Sequence, residues 1–473
     1  MDEGRTRSGI RRSIDEWRAF GAPRYRTFLG IGSTAAVVAA LAGDGLTIPL
    51  LLALGTHPAV ATVIGVLPFA FSVAQLRVPW LLDRTDGDLR RVTLVILAVG
   101  ETRGFLLALF TLLDWAGFLP TPVAVAAIAA VMSLGGAATT IGGTNLFAWY
   151  GAILVDPERR FVAPRVQGLT IGLGAVLLVP TAVLVSVAEP VIGVRVYAFV
   201  FALAGLAGIA EVAFVRRLQR PGRVRVARPA GGPPPPPPGL DSFLRSIGYA
   251  AFGAGFGPYL SVYAISVLGL SAGFAILLSA LSSGASLIAS TVVGGVLGHS
   301  SASRMLRLSF VMRGGGMFLG ILAFPGQPYA WFVLCVVAIV ASAGAAVGTL
   351  AANERLMRLA AGPALIGAQG RFVATSSIGI TIGQLANGVI LAILPLAYTT
   401  FAGLFLVSGT TRLLVATRAE VSATWGTSTA AFRIEDLRAG APVPPAPSSA
   451  PAPGPPDSGT AGDDGLGGGR ERS

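Results

Sequence analysis

The sequence predicts an all-α integral membrane protein of twelve spanning helices, arranged as two six-helix halves. Three observations carry that expectation. The chain of 473 residues is 53% hydrophobic and only 12% charged, with a mean hydropathy of +0.71. Apolar runs of roughly 20 residues, enough to cross a ~30 Å hydrocarbon core, recur from end to end. These runs lack the short alternation of barrel strands, so their backbone groups must be satisfied within helices. Finally, the chain repeats itself across one long polar stretch. Arg160-Phe161-Val162-Ala163, with Gly168 and Thr170-Ile171-Gly172, returns as Arg371-Phe372-Val373-Ala374, with Gly379 and Thr381-Ile382-Gly383. That is eight identities in thirteen positions at a constant offset of 211 residues, and internal repeats of this kind recur in transporters.

Residues 1–27 form a basic N-terminal segment carrying Arg5, Arg7, Arg11, Arg12, Arg18, Arg24 and Arg26, with no cleavage-type ending before the first span. Ile10, Ile14 and Trp17 fit one face of a short interfacial helix, and a disordered basic tail is the alternative. The N-terminal half, 28–215, holds spans at about 28–54, 60–82, 92–113, 122–150, 166–188 and 194–215. The stretch 216–243 is an Arg- and Pro-rich linker. Its six prolines, Pro233 to Pro238, favour an extended tether over a site for proline-recognising partners. The C-terminal half, 244–418, holds spans at about 244–268, 271–297, 306–324, 329–353, 371–394 and 397–417. The tail, 419–473, is too rich in Pro, Gly, Ser and Ala to form a core and reads as disordered.

Charge labels the sides of the membrane. Alternate loops hold Arg84, Arg90 and Arg91; Arg159, Arg160 and Arg165; Arg216 to Arg228; Arg304 and Arg307; Arg355 and Arg358; Arg412 and Arg418. The opposite loops are short, with Arg195 the one exception. The positive-inside rule then puts both termini and the linker in the cytoplasm, as in a multi-pass protein of the cytoplasmic membrane. Reporter fusions after His57, Pro120 and Gln327 are expected to read outside. Activity of a cytoplasm-only reporter at these sites would overturn the orientation.

The same features exclude several function classes. The net charge of +12 comes wholly from Arg scattered between spans, not from a gathered nucleic-acid-binding face. With no Lys in the chain, a phosphate-binding GxxxxGK[ST] loop is impossible, and nucleotide-driven transport is not expected. Cys335, His57 and His299 are isolated, so neither a disulfide nor a metal site is expected, and no organic cofactor or enzymatic chemistry is implied. The expected partners are the lipid bilayer, a small solute and protons, with the chain acting as a monomer.

The six-plus-six arrangement, the long central loop and the repeat together resemble the major facilitator superfamily over residues 28–418. The loop after the second span adds to this. The superfamily carries Gly-x-Leu-x-Asp-Arg-x-Gly-Arg-Arg there, and this chain has Asp83, Arg84, Gly87, Arg90 and Arg91 in matching order, with Pro79 in place of the leading Gly. The second half keeps only Gly295-Val296-Leu297-Gly298-His299. The resemblance implies a secondary transporter working by alternating access, with proton-coupled efflux as one form. It also implies a cytoplasmic gate in which Asp83, Arg84, Arg90 and Arg91, with Arg160 and Arg371, hold the halves together. The alternative for Asp83 and Asp88 is that they cap the third span and balance Arg90. Two marks of proton-coupled drug exporters, an Arg in the fourth span and a Gly-Pro-rich fifth span, are missing. A non-transporting membrane scaffold or sensor that keeps the fold is the rival reading.

Ionisable residues inside spans are costly and are functional candidates by default. Asp44, in Ala42-Gly43-Asp44-Gly45, lies about 24 Å into the first span at 1.5 Å per residue. The second half has Pro258 at the corresponding position. Glu101 and Arg103 lie in the third span, and two residues apart they point to opposite faces, so each needs a partner elsewhere. Arg77 and Glu211 sit near span ends, where they can snorkel, and Arg313 is left open. The resemblance implies a central cavity lined by spans one, four, seven and ten. Thr47, Asn145, Tyr259, Tyr263, Ser342 and Thr349 are its polar candidates, although core packing explains the tyrosines equally well.

Overall fold

The computed structural model describes residues 18–154, 156–220, 239–254, 257–297, 302–359 and 363–417, all within one compact unit, Met1–Ala431. The expectations for the interfacial helix, the polyproline tether and the tail fall outside the described residues.

The first span is not one helix. It is α1 (Arg26–Leu41) followed by α2 (Asp44–Ala53), with Gly43 extended between them. The second is α3 (Pro58–Ser72), a 3-10 turn over Val73–Arg77 and α4 (Val78–Arg84). The third is α5 (Leu89–Glu101) and α6 (Arg103–Trp115). Then come α7 (Thr121–Ile153), α8 (Asp156–Ile192) and α9 (Arg195–Arg216). The second half opens with the seventh span, described over α10 (Leu240–Ala254) and α11 (Gly257–Ser266). It continues through α12 (Ala272–Leu297), α13 (Ala302–Gly320), α14 (Ala330–Leu359), α15 (Pro363–Ile393) and α16 (Tyr398–Ala416). Ten of the helical stretches among the described residues are long and apolar enough to cross a membrane. The seventh span and the Arg-bearing α13 complete the twelve. The fifth and eleventh helices begin well before the expected starts, so Arg160 lies inside a helix rather than in a loop and Arg371 lies eight residues into its helix rather than at its start.

The repeat is visible in three dimensions. Phe161 packs on Tyr25 ahead of the first span, and Phe372 stacks on Phe243 ahead of the seventh. Gly55 and Gly269, each just past the C-terminal end of the first span of its half, both take a left-handed conformation (φ +74° and +67°). At Gly55 the bonds Thr56 N–H to Leu51 O (2.9 Å) and Gly55 N–H to Leu52 O (3.0 Å) close the helix in a Schellman pattern, which a residue with a β-carbon would strain.

The halves meet along two seams. The fifth span lies along the eighth, with Gly172 against Leu287 and Gly273 against Ser186. The second lies along the eleventh, with Gly388 against Val63 and Gly370 against Gln75. In lipid, close approach of small residues replaces the hydrophobic drive that holds soluble helices together. Gly104 illustrates the tolerance within a half, because a β-carbon there would strike the Gly205 backbone and lie 2.8 Å from the Phe201 carbonyl. Backbone cannot yield as a side chain can. Gly104→Ala is expected to cost about 1–3 kcal/mol and to lower the melting temperature, while Gly403→Ala, which meets open space, leaves it unchanged.

Candidate functional site

The helix breaks gather the buried charges of the first half. At the start of α2, Asp44 is half-buried, with its carboxylate at the positive end of a half-helix. Next to it, Gly45 approaches Ser279 of the eighth span, so the break faces the other half. The Thr47 hydroxyl donates to the Gly43 carbonyl (3.1 Å) and lies 3.5 Å from the Met132 sulfur, which ties the break to the fourth span.

In the third span, Thr102 separates Glu101, the last residue of α5, from Arg103, the first of α6. Their side chains diverge. The Arg103 side chain crosses Gly135 and Gly136 of the fourth span, and a β-carbon on Gly135 would fall 2.7 Å from the Arg103 Cβ. Glu101 lies over Gly208 of the sixth span, its Oε2 being 2.9 Å from where a Gly208 β-carbon would stand. Both are buried, at 7% and 3% exposure. The Thr139 hydroxyl stands beside Glu101 but donates to the Gly135 carbonyl (3.0 Å), which leaves the carboxyl oxygens without a hydrogen bond. The Arg103 Nε is likewise buried and unpartnered.

Arg103 is within electrostatic reach of three acids: Glu101, Asp44 and Glu211. Glu211 corrects the sequence reading, since at 5% exposure it does not snorkel. The signal was its spacing: Glu211 stands three residues after Gly208, on the helix face that Glu101 covers. Three carboxylates within electrostatic reach of one guanidinium carry an excess of two negative charges when all are ionised. In a low-dielectric interior that excess calls for a balancing cation, either a proton or a charged group of a solute. On its other side Arg103 is the charged wall of an otherwise apolar groove of about 430 Å³ between the third and fourth spans.

The remaining candidates are dispersed. Tyr259 and Tyr263 are fully buried. The Tyr259 hydroxyl donates to the Gln384 carbonyl (2.6 Å), and that of Tyr263 donates to the Ala323 carbonyl. Ser342 accepts a bond from Ser286 through its backbone carbonyl (3.1 Å), and exposed Thr349 bonds its own helix at Ala345 (3.0 Å). Asn145 pairs with Gln75 (3.3 Å), joining the fourth span to the end of the second. Gln75, Pro79, Gly367, Gly370 and Arg371 surround a cavity of about 150 Å³ on the second-to-eleventh seam. Arg84 stacks over Trp80 (4.1 Å). Asp88 caps α5 by accepting from the Arg91 N–H (2.9 Å), and Arg90 donates to the Arg216 carbonyl (2.9 Å) at the end of the sixth span. These contacts of Arg84, Arg90 and Arg91 lie within the first half. Asp83 is exposed beside them, and the Arg160 side chain falls outside the described residues.

No protein-family profile and no curated protein sequence matches the chain. Solved structures do. The chain superposes on the xylose transporter XylE from E. coli in a partially occluded inward open conformation with a TM-score of 0.61, at 12% identity, over 83% of this chain and 96% of that one. A bacterial homologue of the iron transporter ferroportin, inward-facing, gives 0.58 at 14% identity over 84% and 99%. The nucleoside transporter NupG, as its D323A mutant, gives 0.57 at 14% identity over 82% and 98%. The chain has the twelve-helix fold of the major facilitator superfamily.

Proposed function

We propose that the protein is a secondary transporter that moves a small solute across a membrane by alternating access, with Asp44 as the group that exchanges a proton or binds a cationic part of the solute. One observation carries the reading: Asp44 sits half-buried at the break of the first span, between the halves and within electrostatic reach of a buried arginine. A carboxylate whose surroundings change as two halves rock is loaded in one conformation and discharged in the other, because each conformation solvates and pairs it differently. Glu101 and Glu211 lie within electrostatic reach of the same arginine, so Asp44 shares that cation with two further acids. Tyr259 and Tyr263 serve packing in this reading, their hydroxyls being committed to backbone carbonyls.

The neighbours in fold carry xylose, nucleosides and iron by their names, which makes these three the first solutes to try. Purified protein in proteoliposomes is expected to accumulate or expel at least one member of a small-solute panel faster than protein-free vesicles. An imposed proton gradient changes the rate, and the sign of the change gives the direction. Equal fluxes with and without protein over a panel of sugars, nucleosides, divalent metals and organic cations would overturn the proposal.

A further inference from the structure

The second half contains the counterpart of the Arg103 site with its charge inverted. Arg313 stands in the ninth span where Arg103 stands in the third. Each precedes a glycine packed on the last span of its half: Gly104 on Gly205, and Gly314 on Gly409, whose carbonyl a Gly314 β-carbon would approach to 3.0 Å. Each also lies across a glycine of the next span, Gly135 in one half and Gly344 in the other, where a β-carbon would fall 2.8 Å from the Arg313 Cγ. The surroundings then diverge. Three residues after Gly205 comes Gly208, with the Glu101 carboxyl over it, whereas three residues after Gly409 comes Arg412.

Arg412 is 3% exposed. Its Nη1 donates to the Arg313 carbonyl (3.3 Å), and its Nε is buried with no partner. The charge that acts on it is Arg313, and among the described residues no carboxylate acts on either guanidinium. The side chain also lies against Gly253 of α10, whose carbonyl already accepts from the Ser408 hydroxyl. Taking one unpaired ion out of water costs several kcal/mol, so two guanidiniums within electrostatic reach of each other call for an anion that the described residues do not supply.

We infer that Arg313 and Arg412 form an oxyanion site, taking a phosphate or carboxylate group at the Arg-rich end of the second bundle. Arg412 lies four residues before the end of α16, about 6 Å along the helix. Its side chain reaches back to Arg313, eleven residues into α13, and Arg313 is partly exposed and keeps the pair accessible. The planar fork of each guanidinium matches such an anion with two parallel hydrogen bonds, which an ammonium group could not do. The anion is either the headgroup of an acidic lipid or free phosphate. The inference does not depend on the transport reading.

The test uses the full chain in an uncharged detergent and in phosphatidylcholine vesicles with or without phosphatidylglycerol. Melting temperature and anion adducts in native mass spectrometry are followed with and without inorganic phosphate. Wild-type protein is expected to melt higher and carry an adduct, while Arg412→Gly and Arg313→Gln lose both effects. Should Arg412→Gly fail to fold, Arg313→Gln decides alone, since its side chain is the more exposed of the two. A response to inorganic phosphate identifies a free-anion site, and a response to phosphatidylglycerol alone identifies a lipid site. No adduct and no shift in wild type, or equal responses in wild type and Arg313→Gln, would overturn the inference.

Discussion

Asp44→Asn protein is expected to insert and melt like the wild type but to lose solute accumulation driven by a proton gradient, by about 5- to 150-fold, the usual range of a coupling energy. Asparagine keeps the shape of the side chain, and losing the charge in the first turn of α2 costs only about 0.3–1 kcal/mol. What it removes is the ability to ionise. Exchange of labelled for unlabelled solute, which needs no net proton movement, survives in this variant. The measurement is paired uptake and exchange in proteoliposomes, with melting temperature as the folding control. Undiminished gradient-driven accumulation by Asp44→Asn would remove Asp44 from the coupling mechanism and leave the fold without an identified coupling group.

Arg103→Gln is expected to destabilise the protein by about 3–5 kcal/mol, because it leaves buried carboxylates without their cation. Glu211→Gln in the same chain restores part of that loss, since it removes one of the charges left unbalanced. A double-mutant cycle on Arg103 and Glu211, read from unfolding in increasing denaturant, should give an interaction of about 0.5–3 kcal/mol. Additive losses would mean that the two residues are satisfied separately and that the cluster is a coincidence of position. Glu101→Gln with Arg103→Gln provides a second cycle across the Thr102 junction, where the two side chains leave on opposite faces. The Asp44 result and these cycles separate function from stability: the first moves flux with melting unchanged, the second moves melting directly.

The sequence by itself determined the class, the number of spans and the duplication. Those follow from hydropathy, from the 211-residue repeat and from the spacing of Arg residues, all of which are local or periodic properties of the chain. It also singled out Asp44, Glu101 and Arg103, because a charge in an apolar run stands out without any knowledge of its neighbours, and it required Glu101 and Arg103 to face apart. The cap at Asp88 was readable as the alternative to a gate, from a residue type favoured at helix starts. What only the tertiary structure decided was which residues share an environment. Glu211 reads as a span-end residue that could snorkel, and packing of the sixth span against the third buries it beside Arg103. The helix break after Leu41 lies within an apolar run that hydropathy reads as continuous. Tyr259 and Tyr263 fit a cavity wall by spacing, yet their hydroxyls go to backbone carbonyls on other parts of the bundle. The relation of Arg313 to Arg412, about a hundred residues apart in the chain, has no trace in either local sequence. The physical reason is common to all of these: in a bilayer every span looks alike to the lipid, and only the packing of one helix on another decides which buried charges meet.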